Sequence, residues 1–253
     1  MSYMAKFGLP ERFALVTGAG QGIGEACATA LAEAGAHVFV TDLSADRAYK
    51  VADALAKRGL KATAHELDVI NTVQLDELAA KLPTLDALVC NAGIASNTPA
   101  EDMTDAEWDR VIGINLTGVF KTCRAFGRKM LAAGRGTVVN IGSMSGDIVN
   151  TPQPQCHYNA AKAGVHHLTK SLAVEWATRG VRVNAVAPTY IETPLIANLE
   201  DAKEMIDRWL DLTPMKRMGQ PQEIASVVLF LASDASSLMT GSILTADAGY
   251  TSI

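Results

Sequence analysis

Residues 13–24 read FALVTGAGQGIG, and this stretch decides the fold. Phe13 to Thr17 is a short run of mostly apolar residues, which predicts a strand. An alanine-rich helix follows from Gly22. Glycine permits positive φ and lets backbone approach a phosphate closely, and the start of a helix presents free N–H groups to an anion. The pattern predicts a dinucleotide-binding turn, although glycine-rich turns also serve as plain strand-to-helix connections; the expected contacts are Gly18, Gln21, Gly22, Ile23 and Gly24.

Outward from this turn, short apolar runs alternate with helical patterns along the whole chain. We expect strands at residues 13–17, 37–41, 61–67, 87–90, 137–141, 182–186 and 242–245. Helices are expected at residues 22–34, 44–57, 72–82, 105–133 (interrupted near Gly113 or Thr117), 158–178, 192–212 and 221–232. Short strands that are apolar on both faces and separated by helices are typical of a buried parallel sheet. The chain is therefore predicted to be a single α/β domain over residues 1–253, a doubly wound Rossmann fold with about seven parallel strands flanked by helices.

Composition narrows the class of protein. The 253 residues carry a net charge of -5 and are 49% hydrophobic, so nothing indicates nucleic acid as a partner. No apolar run is long enough for a membrane helix, and no secretory signal is evident at the N-terminus. Four cysteines without paired spacing indicate free thiols, and hence the cytoplasm. The five histidines are scattered, and no metal site is expected.

An acidic residue at the end of the second strand indicates which dinucleotide binds. Asp42 lies 18 residues after Gly24 (42 minus 24), where a carboxylate accepts hydrogen bonds from the adenosine ribose hydroxyls and repels a 2′-phosphate. Gln21 and Leu43 supply no positive charge there, and Arg47 is a full helical turn away. We therefore expect NAD(H) as cofactor rather than NADP(H). Asp42 could equally be a helix N-cap acid, and both roles are compatible.

Four further residues form a candidate catalytic set. Tyr158 and Lys162 are four apart on a predicted helix and share one face. A lysine ammonium beside a phenol lowers the phenol pKa, which makes tyrosine usable as an acid or base. Ser143 follows the fifth strand at the carboxyl edge of the sheet, where ligands bind in such folds. Asn115 is a polar residue amid apolar neighbours in the long helix, and a site role is favoured over a core hydrogen bond.

These residues together resemble the short-chain dehydrogenase/reductase family. The resemblance rests on TGAGQGIG at residues 17–24, NAG at 91–93, Asn115, Ser143 and YNAAK at 158–162. It implies that Tyr158 is the general acid/base, Ser143 polarises the substrate oxygen, Lys162 binds the nicotinamide ribose, and Asn115 holds a proton-relay water. It also implies cofactor contacts at Tyr158 and Lys162, and at Leu43, Asp68, Val69, Asn91, Ala92, Gly93, Pro188, Ile191 and Thr193.

Two positions depart from the common pattern of that family. Cys90 stands where a first asparagine is often found, and we expect the turn to remain intact. Thr189 follows Pro188 where glycine is usual, so the backbone conformation at this position is expected to differ slightly from the family pattern.

The segment between Ser143 and Tyr158 indicates the substrate. It is polar, and we expect substrate contacts at Ser145, Asn150, Gln153 and His157, because buried hydrogen-bond partners select ligands that bear hydroxyls. The alternative is that the amides of this segment only satisfy loop backbone groups. The motifs resemble the polyol dehydrogenase branch (galactitol-, arabinitol- and sorbitol-type enzymes), which implies interconversion of a secondary alcohol of a polyol and its ketose. A substrate lid is expected over about residues 190–212, with Glu192, Asn198 and Trp209 as further contacts.

Two rival functions remain open on the sequence. One is a 3-oxoacyl carrier-protein reductase, which Asp42 disfavours because such enzymes usually use NADPH. The other is a catalytically silent NAD-binding regulator, which the intact catalytic set disfavours. The family resemblance also implies a homotetramer. Its interfaces would be formed by the helices at residues 105–133 and 158–178, and by the apolar segment at 239–253.

Overall fold

The computed structural model describes residues 2–197 and 202–253, and over these residues the chain forms one seven-stranded parallel sheet. The order of strands across the sheet is β3-β2-β1-β4-β5-β6-β7. The predicted doubly wound α/β fold is confirmed. The strands are β1 (Phe13–Thr17), β2 (His37–Asp42), β3 (Ala62–Glu66), β4 (Ala87–Cys90), β5 (Gly136–Ile141), β6 (Val181–Pro188) and β7 (Ile243–Ala246).

The described part of the chain contains nine α-helices. The predicted helix at residues 192–212 is divided into α7 and α8, and residues 198–201 between them lie outside the described residues. The helices are α1 (Gly22–Glu33), α2 (Ala45–Lys57), α3 (Thr72–Lys81), α4 (Asp105–Ile112), α5 (Gly118–Ala133), α6 (Cys156–Ala177), α7 (Pro194–Ala197), α8 (Ala202–Leu212) and α9 (Pro221–Ala232).

The predicted break in the long helix is confirmed, and it takes the form of a π turn. Residues Gly113–Thr117 form this turn between α4 and α5, spanning both positions at which the interruption was expected. A π turn widens the helix by one residue and is frequent at functional sites. Here it lies where Asn115 must leave the regular helical spacing to reach the carboxyl edge of the sheet.

The core lies in two layers, one on each face of the sheet. Successive residues of a strand point to opposite faces. In β1, Ala14 and Val16 pack in one buried cluster with α1 and α9, while Leu15 packs in the other with α5 and α6. This explains why β1 and β4 in the middle of the sheet are almost entirely apolar: both faces of each strand are covered by helices.

The order of the strands fixes where a ligand can bind. The chain runs outward from β1 to β2 and β3, then returns to β4 on the other side of β1. At such a reversal the connections after β1 and β4 diverge and leave a crevice at the carboxyl ends of the strands. The glycine-rich turn follows β1, and Asn91 follows β4, so both border this crevice. Among the described residues, no helix is long and apolar enough to cross a membrane.

Candidate active site

A cavity of about 620 Å³ opens at the carboxyl edge of the sheet, at this crevice. It brings together nearly all of the predicted site residues. Of the predicted cofactor contacts, only Gly24 does not line the cavity. The others line it: Gly18, Gln21, Gly22, Ile23, Asp42, Leu43, Asp68, Val69, Asn91, Ala92, Gly93, Tyr158, Lys162, Pro188, Ile191 and Thr193.

The glycine-rich turn is held close to β4 and cannot tolerate larger residues. A Cβ added to Gly24 would lie 2.2 Å from the Gly18 carbonyl oxygen. Gly24 therefore serves the packing of α1 against the turn, which corrects its expected role as a cofactor contact. The Asn91 amide donates to the carbonyl oxygens of Thr17 (2.9 Å) and Gly18 (3.0 Å). These bonds fix the turn with its backbone facing the cavity.

Asp42 lies at the end of β2 with its carboxylate almost fully hydrogen-bonded. Oδ2 accepts from the Gly20 backbone N–H (3.0 Å), and Oδ1 accepts from the Ser44 backbone N–H (2.9 Å). Oδ1 also accepts from the Arg47 guanidinium, at 2.8 Å from its terminal nitrogen and 3.2 Å from Nε. The expectation that Arg47 is too distant to matter is thus wrong. It lines the cavity and neutralises Asp42, because its long side chain reaches back along α2.

The opposite end of the cavity offers polar and apolar groups suited to a nicotinamide. Pro188, Ile191 and Thr193 line it, as the family resemblance implies. Thr189, at the position that departs from the family pattern, has a buried hydroxyl oxygen with no hydrogen-bond partner among the described residues. An unpaired buried hydroxyl costs free energy unless a ligand supplies the partner. Together with the glycine turn and Asp42, this wall fits an extended dinucleotide.

Tyr158, Ser143 and Lys162 converge at the centre of the cavity. Tyr158 and Lys162 lie one turn apart on α6, and the Lys162 Nζ is 5.5 Å from the centroid of the Tyr158 ring. Nζ donates to the Ile141 carbonyl oxygen at 2.7 Å. Ser143 follows β5, and its hydroxyl donates to Ser145 Oγ at 3.1 Å beside the Tyr158 side chain.

Burial dominates the electrostatics of this group. It raises the pKa of Tyr158, and the neighbouring Ser143 hydroxyl acts in the opposite direction. Burial also lowers the pKa of Lys162 to about 8. The expected lowering of the Tyr158 pKa by Lys162 is not what this arrangement produces. The ammonium turns toward the Ile141 carbonyl, and desolvation of the phenol outweighs the attraction between the two groups.

Asn115 lies on the π turn and does not line the cavity. Its amide oxygen accepts from the Ile94 backbone N–H (2.8 Å), and its amide nitrogen donates to the Ile94 carbonyl (2.7 Å). These bonds occupy the acceptor and one donor of the side chain. The role expected for Asn115, holding a proton-relay water, stays a prediction. The side chain fixes the cavity wall that runs from Gly93 to Ile94.

The predicted substrate segment forms a connected polar wall. Ser145 Oγ donates to Asn150 Oδ1 (2.9 Å), and the amide nitrogens of Asn150 (3.0 Å) and Gln153 (3.2 Å) donate to the Tyr190 hydroxyl. Gln155 donates to Asn150 Oδ1 at 3.0 Å. All of these residues line the cavity. The side-chain bonds of Asn150, Gln153 and Gln155 run to other side chains rather than to loop backbone, so the alternative that they only satisfy the loop does not describe them.

The lid residue Trp209 joins this wall from α8. Its ring is 2% exposed and stacks on Tyr190 with the ring centroids 3.8 Å apart. Its indole N–H donates to the Gln153 amide oxygen at 3.0 Å. Glu192, the second expected lid contact, is exposed and does not line the cavity. Asn198, the third, lies outside the described residues.

His157 does not reach the substrate cavity, contrary to expectation. Its ring is fully buried on the other side of α6, and Nε2 lies 2.9 Å from the Ser96 hydroxyl. Ser96 in turn donates to Glu107 at 2.7 Å. His157 precedes Tyr158 by one position, and consecutive helical residues point about 100° apart. The residue therefore faces the loop after β4 when Tyr158 faces the cavity.

The described residues contain no group of histidines, cysteines and acids that could hold a metal ion. In that same part of the chain, all four cysteines are free thiols, and three of them are buried. Cys90, where the family pattern often has asparagine, lies 3.7 Å from Cys123 sulfur to sulfur within the core. The turn after β4 remains intact, because Asn91 provides the bonds to the glycine turn.

Sequence reasoning missed Tyr190 and Arg47. Ligands bind at the carboxyl edge of parallel sheets, which is why Ser143 after β5 is a candidate. Tyr190 follows β6 by two residues, so the same reasoning places it beside the cavity. Arg47 was excluded by its distance along α2. Only the tertiary structure shows that its side chain folds back onto Asp42.

Comparisons with known proteins agree with this geometry. Residues 18–251 match the family model described as "Enoyl-(Acyl carrier protein) reductase". The chain is 54% identical to a galactitol 2-dehydrogenase of Rhizobium johnstonii, over 99% of each chain. A solved short-chain type dehydrogenase/reductase from Mycobacterium marinum superposes with a TM-score of 0.94 at 43% identity, covering 99% of each chain. A solved gluconate 5-dehydrogenase from Burkholderia cenocepacia, in complex with NADP and tartrate, has a TM-score of 0.94 at 35% identity over 100% of each chain.

The family model, the curated relative and the solved structure each match nearly the full length of the chain. The chain belongs to the short-chain dehydrogenase/reductase family.

Proposed function

We propose that the chain is an NAD(H)-dependent dehydrogenase that interconverts a secondary alcohol of a polyol and the matching ketose. The observation that carries the substrate class is the polar wall of Ser145, Asn150, Gln153 and Tyr190. These groups pair with one another, but Asn150 and Gln153 each keep a second amide hydrogen, which a polyol hydroxyl can accept and an apolar ligand would leave unpaired. The similarity to a galactitol 2-dehydrogenase supports the same class.

The chemistry follows from the three central side chains. In alcohol oxidation, Tyr158 takes the proton of the substrate hydroxyl, and in ketone reduction it returns one. The Ser143 hydroxyl hydrogen-bonds the same substrate oxygen and holds it beside the phenol. The Lys162 ammonium, 5.5 Å from the Tyr158 ring, favours the phenolate over the neutral phenol. When bound, the nicotinamide supplies the hydride acceptor or donor.

Asp42 is the basis for NAD(H) as cofactor. Ser44 and Arg47 donate three hydrogen bonds to Oδ1, but Oδ2 accepts only from Gly20 and keeps one free acceptor position for a ribose hydroxyl. A 2′-phosphate would meet the carboxylate of Asp42. Arg47 could attract such a phosphate only by leaving Asp42 without its partner. Since a related gluconate 5-dehydrogenase was solved with NADP, the preference needs a direct test.

The test compares kcat/KM for NAD⁺ and NADP⁺ in three proteins. We expect the wild type to prefer NAD⁺ by at least about 10²-fold, as one unpaired buried charge costs several kcal/mol. Asp42→Ala removes the repulsion and frees Arg47, so it should shift the preference toward NADP⁺. The matched double variant Asp42→Ala/Arg47→Ala should lose that gain. Comparable kcat/KM values for both cofactors in the wild type would refute the proposal for NAD.

The substrate test is a panel read by NADH absorbance. It contains galactitol, D-threitol and L-sorbose, with cyclohexanol as an apolar secondary alcohol and an acetoacetyl thioester as a 3-oxoacyl substrate. We expect turnover of at least one polyol or ketose, with kcat/KM exceeding that of cyclohexanol. Preference for the thioester would favour a 3-oxoacyl reductase. Absence of turnover on the whole panel, with NADH still bound, would favour a silent regulator.

We also propose that residues 190–212 act as the substrate lid. The support is the contact of Trp209 on α8 with Tyr190 and Gln153, which adds the α8 side chain to the polar wall. Movement of α8 would separate Trp209 from Tyr190 and Gln153 and open the polar wall. A spin-label pair on α8 and α6 should show a shorter distance when NADH and a polyol are both present.

The proposed assembly is a homotetramer that works in the cytoplasm. Apolar side chains of α4, α5 and α6 are exposed, including Trp108, Phe120 and Val174, and β7 leaves one edge of the sheet open. Exposed apolar groups on helix faces and an open edge strand are favourable surfaces for contacts between copies. Sedimentation at micromolar concentration should give a mass near four chains, and fractionation should recover the protein with cytoplasmic markers. A monomer would contradict the assembly.

A further inference from the structure

His166 is a buried titratable residue that the proposed chemistry does not use. It lies on α6 one turn after Lys162 and two turns after Tyr158, so the three share one face of the helix. It is 4% exposed, and it does not line the cavity. Its ring contacts the turn at residues 142–147, which carries Ser143.

The ring of His166 has one polar partner on each nitrogen. Nδ1 lies 3.1 Å from Asp147 Oδ1, and Nε2 lies 3.5 Å from the Ser143 backbone nitrogen. A backbone N–H can only donate, and a carboxylate can only accept. The contact with Ser143 therefore requires an unprotonated Nε2, and the proton of the neutral ring is on Nδ1, where it is donated to Asp147.

Glycines on both sides of Ser143 make room for this ring. A Cβ on Gly142 would lie 2.4 Å from His166 Nε2, and a Cβ on Gly146 would lie 2.7 Å from Cε1. The Gly142 N–H donates to the Val186 carbonyl (2.8 Å), and the Gly146 N–H donates to the Ser143 carbonyl (2.9 Å). The imidazole thus packs between the two ends of the turn, and the turn closes over it.

We propose that His166, oriented by Asp147, is a positioning residue that holds the Ser143 turn in place and makes hydride transfer sensitive to acid. Protonation of Nε2 would place an N–H opposite the Ser143 N–H, and two donors repel each other. The turn would move away from the ring, and the Ser143 hydroxyl would leave its place beside Tyr158.

Burial keeps the His166 ring neutral near pH 7, and the charged groups around the ring act in both directions. Asp147 from the turn favours the imidazolium, whereas Lys162 and Lys170 from α6 disfavour it. Burial is the strongest influence, and the resulting pKa of His166 is lower than its ordinary value of 6.5. The ring therefore accepts a second proton only in acid.

The experiment measures kcat for ketone reduction by NADH between pH 5 and 8. Reduction needs protonated Tyr158, which is available throughout this range, so loss of rate in acid reports another group. L-tagatose is the first substrate, and cyclohexanone replaces it if the enzyme reduces no ketose. The proposal thus rests on the dehydrogenase activity, and failure of the polyol assignment alone leaves the test intact.

We expect kcat of the wild type to fall in acid below pH 6.5, approaching tenfold per pH unit. His166→Leu should lower kcat at least about tenfold at pH 7.5 and leave the Kd for NADH within about twofold. His166→Gln offers a donor and an acceptor but does not titrate. It should recover most of the kcat lost in the leucine variant and should show no fall down to pH 5.

His167 provides the matched control, because it is the next residue of α6 and is exposed. His167→Gln should keep the wild-type pH profile. Asp147→Asn should move the fall in kcat to lower pH, since the carboxylate that favours the imidazolium is gone. The proposal is overturned if His166→Gln retains the wild-type fall in acid, or if His166→Leu has wild-type kcat. Should the leucine variant fail to fold, the glutamine variant alone decides.

Discussion

Replacing Lys162 by methionine should remove one source of pH-dependent stability while abolishing catalysis. The ammonium is buried, and the pKa of Lys162 in the folded protein is about 8, against an ordinary value of 10.5. Between these two pH values the unfolded chain binds more protons than the folded chain. The free energy of unfolding therefore rises with pH across this window.

The size of the effect follows from the two pKa values. A difference of 2.5 units (10.5 minus 8) corresponds to a penalty of about 3 kcal/mol for keeping Lys162 charged in the fold at pH 7. At pH 9 most of the folded molecules have released the proton, and the penalty falls to about 2 kcal/mol. The wild type should thus gain about 1 kcal/mol relative to Lys162→Met between pH 7 and pH 9.

Other effects of the substitution do not change with pH in this range. Methionine leaves the Ile141 carbonyl without its 2.7 Å donor, which costs about 1–3 kcal/mol at every pH. Burial raises the pKa of Tyr158 above its ordinary value of 10.0, and this group titrates above the window in both proteins. The difference between the two pH profiles therefore isolates the lysine.

The assay is urea unfolding followed by far-UV circular dichroism at pH 7, 8 and 9. Lys50→Met is the matched control, because Lys50 is exposed on α2 and its ammonium is in solvent in both states. Its free energy of unfolding should follow that of the wild type. If the free energies of unfolding of Lys162→Met and the wild type change with pH in parallel within about 0.5 kcal/mol, burial does not destabilise the Lys162 ammonium by the amount calculated from its pKa.

Three other substitutions test the site. Tyr158→Phe should lower kcat on the order of 10³-fold while the Kd for NADH, measured by fluorescence, stays within about twofold, because general acid/base catalysis contributes factors of this size; retained turnover would refute its role. Gly24→Ala should weaken NADH binding at least about tenfold and destabilise the fold by about 1–3 kcal/mol, since the added methyl overlaps the Gly18 carbonyl. Unchanged melting and binding would show that the turn is looser than described. Gln153→Leu deprives the Trp209 N–H of its acceptor and should raise the KM for a polyol about tenfold, with little change in the KM for NAD⁺. An equal rise of both KM values would show that the substitution disturbs the whole fold and not the polyol site alone.

Local sequence determined most of the architecture. Strand β1 and helix α9 have the bounds that the apolar runs and the start at Pro221 predict. The alternation of buried strands and helices required a parallel sheet covered on both faces, because residues of β1 that point in opposite directions are equally apolar. Because the carboxyl ends of parallel strands lie at one edge of the sheet, the sequence was sufficient to predict that Ser143 and the glycine turn border one cavity.

The direction of individual side chains was decided only by the tertiary structure. His157 and Tyr158 are neighbours in sequence, but the helix turns one toward Ser96 and the other toward the cavity. Asn115 was correctly singled out as unusual, yet its partner is the Ile94 backbone, more than twenty positions away, which no local pattern shows. Arg47 reaches Asp42 because its side chain is long enough to fold back along α2.

The sequence therefore determined that this chain forms a Rossmann sheet with a dinucleotide turn and a tyrosine–lysine pair at its carboxyl edge. These features depend on periodicity and on glycine geometry, which are local properties of the chain. The tertiary structure decided which polar groups hydrogen-bond to one another and which keep a donor or acceptor for a ligand. Hydrogen bonds such as that between Trp209 and Gln153 join residues 56 positions apart, and burial of the same groups sets their protonation.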